Sequence, residues 1–210
     1  MENGREFWRD VLVAGGCTTV PRWAADPVPG VGVHAAPLPD DLAAGLRVRA
    51  AELGVPVSAV LLAAHAKVLA SLTGEREVVT RHLVAGGRAL PCRLVVGDGS
   101  WRALVAAAAR TAAALAEHAG FAVDELRREL GVSGPSSETV FDPAGDGADL
   151  PGDVVLRVGV VGDRLVLRFR TDALDAAAAA RIVGYHLTAL AALVADPDAE
   201  HGRQSLLSAG

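Results

Sequence analysis

Aromatic side chains are scarce: three Trp, four Phe and one Tyr make up 4% of the 210 residues. A core built from this chain must pack Leu and Val against alanine-rich helices that approach closely, rather than stack rings. There are only two cysteines, Cys17 and Cys92. Neither sits in a C-x-x-C pair or beside a histidine cluster, so a disulfide framework and a thiolate zinc site are both set aside. Free thiols in a reducing cytoplasm are the expectation. Basic charge is also short: 20 Lys and Arg stand against 25 Asp and Glu, a formal net charge of −5. No Lys/Arg cluster alternates with aromatics, which argues against nucleic acid as a partner. The apolar run Ala103–Ala109, bounded by Arg102 and Arg110, is too short to span a bilayer. The polar start Met1–Glu6 does not read as a signal peptide, so no membrane partner is expected and the cytoplasm is the expected location. The motifs of several chemistries are missing too. There is no H-x-x-x-H, no G-x-S-x-G elbow, and Gly86-Gly87-Arg88 lacks the Lys-Ser/Thr of a phosphate loop and reads as a turn. No catalytic residue, metal ligand or cofactor site is assigned.

What is present is organised around residues 153–197. Val154–Val160 reads as a strand, Gly162-Asp163 as a tight turn and Arg164–Arg170 as a second strand. Leu165, Leu167 and Phe169 alternate with Arg164, Arg168 and Arg170, the pattern of a sheet with one buried face. The arginine row reads as a solvated or helix-covered face, or as a surface for an acidic partner. Asp175 is placed to cap a long helix ending near Asp196-Pro197, with Ile182, Tyr185, Leu190 and Leu193 as its apolar stripe.

The rest of the chain reads in order. A helix over Arg5–Val13 carries Phe7, Trp8, Val11 and Leu12, a loop runs over Gly15–Gly30, and Val31–Ala36 is a strand. Pro39-Asp40-Asp41 opens a helix with Leu42, Leu46 and Leu53, closed by Gly54. A second helix is capped by Ser58, presents Val60, Leu61, Ala64, Val68 and Leu72 on one face, and stops at Gly74. Strands are expected over Glu77–Val84, Arg93–Val96 and Glu138–Phe141, with Ser100 capping the helix Trp101–Ala119. A short helix, Phe121–Leu130, turns Phe121, Leu126 and Leu130 inward, and Pro143–Gly152 is loop. No repeat and no long linker divides the chain.

Several segments, taken in order, resemble the second half of condensation domains of nonribosomal peptide synthetases. They are Phe7-Trp8-Arg9-Asp10-Val11-Leu12; Leu38-Pro39-Asp40-Asp41-Leu42 and the following Leu53–Ala64; and Leu72–Val79 leading to Ala85-Gly86-Gly87-Arg88. Leu167–Asp175 with Ala195-Asp196-Pro197-Asp198, and Ser205-Leu206-Leu207-Ser208 at the start of a linker, complete the set. The resemblance implies an α/β (α+β) two-layer sandwich, a mixed β-sheet packed with helices in a single chloramphenicol acetyltransferase-like lobe. On this reading residues 1–200 are the truncated lobe and 201–210 a linker-like tail toward an adenylation domain. The family's His-His-x-x-x-Asp-Gly signature belongs to the first lobe, and this chain has no His-His pair. The family's crossing segment after the Gly-Arg also looks deleted, because Gly87-Arg88 runs into Ala89–Leu94.

The resemblance therefore implies a non-catalytic partial condensation domain in antibiotic or other peptide biosynthesis, a platform for an adjacent adenylation domain. Two rivals stand beside it. The chain could be half of a split enzyme whose His-motif lobe comes in trans, joining carrier-protein-bound substrates through an amide. It could also be a self-associating lobe, a homo-oligomer whose groove is closed by another copy. Arg81 stands where relatives tend to have a small residue and is a candidate for lining the groove; His82 beside it reads either as groove-lining or, in preference, as a satisfied sheet histidine. His118 reads either as groove-lining, by resemblance, or as a helix C-terminal histidine that favours the dipole. His65, among alanines, reads as a core histidine. Leu206 and Leu207 are candidates for docking on a partner, or for fraying.

Overall fold

The computed structural model describes residues 2–85, 87–132, 137–145 and 150–206. Thirteen residues of α1 (Glu2–Ala14) lead into a long loop and then the edge strand β1 (Val31–Pro37). Helices α2 (Asp40–Leu53) and α3 (Val57–Thr73) follow, each ended by a glycine in the left-handed region, Gly54 (φ 66°) and Gly74 (φ 75°), as the sequence predicts. Strands β2 (Glu77–Leu83) and β3 (Ala89–Val95) form a hairpin. Helices α4 (Trp101–Glu117) and α5 (Val123–Glu129) then precede β4 (Thr139–Asp142), β5 (Leu156–Val161), β6 (Arg164–Arg170) and α6 (Ala176–Ala195). Ser100 and Asp175 cap α4 and α6 by accepting from the backbone N–H three residues on.

Among the described residues one mixed sheet holds six strands in the order β1-β6-β5-β4-β2-β3. β4 pairs in parallel with both β2 and β5, and the other pairs are antiparallel. Pairing places Phe169, Leu167 and Leu165 beside Leu156, Val158 and Val160, and these beside Thr139 and Phe141. The same face continues through Thr80 and His82 of β2 to Cys92 and Leu90 of β3. This face is the floor of the core, and α3, α4 and α6 cover it, with α2 packed against α3 and α6. The fold is thus the mixed α/β sandwich expected. Helix α6 is apolar and long enough to cross a membrane by composition, but its Ile182, Val183, Leu190 and Leu193 are buried against the sheet layer.

Some local expectations change. Pro56, not Ser58, occupies the N-cap of α3, where an extended ψ of 151° and a missing N–H suit helix entry; Ser58 lies inside the first turn. Nor does α3 bury one stripe: Ala59, Val60 and every residue from Leu62 to Leu69 are buried, because α4 packs on one flank, α6 on the other and β2 beneath. Small alanines permit that crowding. β3 starts four residues earlier than expected and includes Pro91, which an edge strand tolerates because only one side needs donors. Leu130 sits past the end of α5 and is exposed, while Val123 and Leu126 turn inward. β5 begins at Leu156, although Val154 and Val155 before it are buried.

Residues 201–206 are part of the lobe. The N–H of His201 donates to Gly99 O, the Trp101 indole donates to Gln204 Oε1 at 2.7 Å, and Leu206 is buried in the core cluster. Leu206 therefore packs on its own lobe. Leu207 lies outside the described residues.

Candidate functional site

On the sheet face away from the four helices, α1 and α5 lie against one another beside β2 and β3. The alternation of β2 turns Val79 and Arg81 to this side while Val78, Thr80 and His82 face the core. Two clefts open here. One, of about 560 Å³, is lined by Leu12, Arg81, Arg88, Ala89, Leu90, Pro91, Val123, Asp124, Arg127 and Asp153. The other, of about 270 Å³, is lined by residues including Val11, Cys17, Val79, Arg93 and Val132. Leu12, Pro91 and Arg127 belong to both, so the clefts form one continuous groove with an apolar floor and a basic rim.

The cations of this groove differ in their partners. Arg81 forms a bidentate pair with Asp153 and donates to Ser137 O, and it holds the Asp153 carboxyl below the usual carboxylate range. Arg88 is turned onto the carbonyls of Ala119 and Phe121, which ties the β2–β3 turn to the end of α4. Arg93 pairs with Glu77 and reaches Gly15 O at 3.0 Å. Arg127 is half-buried, its Nε fully covered, and it has no hydrogen bond or ion pair among the described residues. Sequence reading passed over it, because Arg127-Arg128 on an amphipathic helix looks like solvated surface.

Arg81, His82 and His118 are the sequence's candidates for a groove, both histidines also having a structural reading, and the structure places the three apart. Arg81 lines the larger cleft. His82 lies on the opposite face of β2, 7% exposed, its ring 5.5 Å from that of Phe141. His118 ends α4, where its ring packs 4.5 Å from Phe7 and its carbonyl accepts from the Trp8 indole at 3.0 Å. The row Arg164, Arg168 and Arg170 does share one face, but Arg170 is folded onto the carbonyls of Leu150, Pro151 and Val154, and Arg164 onto Ala35 O.

The histidine chemistry lies inside the core. His186 Nδ1 is 2.8 Å from Ile182 O, His186 Nε2 is 3.1 Å from His65 Nδ1, and His65 Nε2 is 3.4 Å from Thr80 Oγ1. Thr139 donates to Thr80 at 2.8 Å, and Ser137 closes the far end on Val79 O. A backbone carbonyl only accepts, so His186 must carry its proton on Nδ1, and with both rings neutral every other proton in the chain follows. His65 then donates from Nδ1 and accepts at Nε2. Burial keeps the rings neutral: it pushes His65 well down and His186 down to about 4, with His186 itself further disfavouring charge on His65. Burial also lowers His82 and His201. None of the six histidines lines either cleft. The thiol in the groove, Cys17, is raised by burial and by Glu138, so it is held protonated; Cys92, in the core, is pushed up to about 12 by burial. Among the described residues no group of three His, Cys, Asp or Glu side chains could hold a metal ion. The groove sets arginines beside apolar side chains, and the titratable bases among its lining residues are the carboxylates Asp124 and Asp153 rather than an imidazole.

No protein-family model matches the chain, and no curated protein matches it in sequence. Solved structures do. The first condensation domain of the CDA synthetase superposes with a TM-score of 0.77 at 23% identity, over 99% of this chain and 54% of that one. The X-domain from teicoplanin biosynthesis gives 0.81 at 18% identity, over 98% and 57%; an X-domain from the same biosynthesis has also been solved in complex with OxyB. A four-domain nonribosomal peptide synthetase bound to AMP and glycine gives 0.83 at 14% identity, over 98% of this chain and 20% of that chain. The fold is that of a condensation-domain lobe, and the chain spans just over half the length of the single-domain structures it matches.

Proposed function

We propose that this chain is a non-catalytic condensation-domain lobe that acts as a binding platform in nonribosomal peptide assembly, with an adenylation domain as its partner. The observation that carries the non-catalytic reading is the placement of the histidines. His65, His82, His186 and His201 are buried, His118 is packed on Phe7, and no imidazole reaches the groove. Amide formation between carrier-bound substrates needs a group that takes the proton of the attacking amine, within hydrogen-bond reach. Arginines cannot serve, because they stay protonated; of the carboxylates lining the groove, Asp153 is paired with Arg81 and thereby made a weaker base, and Asp124 is exposed to water.

Two comparisons support a platform role. The X-domain of teicoplanin biosynthesis, similar in fold, forms a complex with OxyB. The four-domain synthetase holds AMP and glycine, the two components of an aminoacyl adenylate, in the same polypeptide as its matching lobe. The test is interferometry with the purified chain immobilised and adenylation domains of nonribosomal synthetases in solution. Saturable binding is expected, at least tenfold tighter than to an unrelated adenylate-forming enzyme. Equal binding to both would remove the partner. Amide product from carrier-bound substrates, by the chain alone or mixed with a His-motif lobe, would overturn the non-catalytic reading and favour a split enzyme.

A further inference from the structure

We propose that the groove between α1, α5 and the β2–β3 hairpin binds a small organic carboxylate with an apolar body, held by Arg127. The inference is independent of the platform reading. Arg127 stands where the two clefts join, half-buried, with its Nε covered and no hydrogen bond or ion pair among the described residues, its charge acting on Asp153 only at longer range, as a lesser addition to that of Arg81. A guanidinium partly withdrawn from water and left without a hydrogen bond costs free energy that an oxyanion would recover, and its planar fork matches a carboxylate with two parallel N–H···O bonds.

The surroundings favour a monoanion over a phosphate. Asp124 and Asp153 line the same cleft as Arg81, Arg88 and Arg127, and Asp153 already neutralises Arg81. The net positive charge left is small, enough for one carboxylate. The remaining wall is Leu12, Ala89, Pro91 and Val123, which suits an aliphatic or aromatic body. A cleft of about 560 Å³ is within the range of small-molecule sites.

The test uses 3-phenylpropanoate, its uncharged isostere 3-phenylpropanamide and inorganic phosphate as probes, titrated into the whole chain and followed by amide chemical shifts. Saturable shifts are expected from the carboxylate at residues lining the groove. The amide should bind roughly tenfold more weakly or worse, the loss of a charge-assisted hydrogen bond. Arg127→Gln should abolish the difference between the two probes while leaving the melting temperature near that of the parent. Equal affinity for acid and amide in the parent chain would overturn the proposal without any variant. Shifts from phosphate as strong as those from the carboxylate would overturn it too, leaving an unselective oxyanion site.

Discussion

Ile182 O orients the whole buried polar chain, because a carbonyl can only accept and every proton from His186 to Thr139 is then assigned in one direction. Thr80 is its least secure member. It accepts from Thr139 at 2.8 Å but donates to His65 over 3.4 Å. Thr80→Val keeps the shape and leaves His65 Nε2 without a donor, so the expected loss is about 1–2 kcal/mol of unfolding free energy. Urea denaturation at pH 7.5 measures it; a change under about 0.5 kcal/mol would mean that the 3.4 Å contact is not a hydrogen bond. Sequence reading placed His65 in the core, since an imidazole on an alanine-rich helix has little else to meet. It had no means of pairing His65 with His186, which lies 121 residues away. For the same reason Arg127 was invisible as a site: what marks it is the lack of a neighbour, and neighbours are tertiary.

Elements were more legible than their assembly. The alternation of β6, the caps at Ser100 and Asp175 and the glycines after α2 and α3 are local, and local physics fixes them. The all-round burial of α3 was not legible, because it depends on three elements closing around one helix. Equally hidden was the role of Gly159 in β5. A Cβ there would lie 2.6 Å from Asp142 O and 3.1 Å from the Gly145 Cα, so the turn after β4 rests directly on the β5 backbone. Gly159→Ala forces backbone apart rather than displacing a flexible side chain. It should cost about 1–3 kcal/mol, read as a lower urea midpoint with an unchanged slope. Gly184→Ala, at a helical position with open space around it, should instead be neutral or slightly stabilising. Leu206→Ala tests whether the last described residues belong to the lobe. Burial at 7% exposure predicts a loss of about 2 kcal/mol, whereas a tail that only frays would lose nothing.

Across the whole molecule the buried histidines couple folding to pH. His65, His82, His186 and His201 are all lowered by burial, so in the acid range the unfolded chain binds more protons than the native lobe. Unfolding free energy must then fall as pH drops below about 6.5, the unfolded histidine value, and each contribution is exhausted once pH passes that residue's native value. His186, whose native value is about 4, should by itself remove about 3 kcal/mol between pH 6.5 and 4. Paired carboxylates such as Glu138 and Asp153 are shifted the other way relative to their charge, lowered by Arg22 and Arg81, and add their loss only in the carboxylate range. The histidine window therefore opens first, well above the pH at which an ordinary acidic protein begins to weaken. Calorimetric melting at pH 7.5, 6.5, 5.5 and 4.5 should show a steady fall starting near 6.5. His186→Gln is less stable at pH 7.5 but carries no titrating ring at that position, so its slope below 6.5 should be shallower by about one proton. A parent melting temperature flat between pH 7 and 5 would mean that the buried rings open to water before they protonate, and the polar chain would then be a surface feature of a looser lobe.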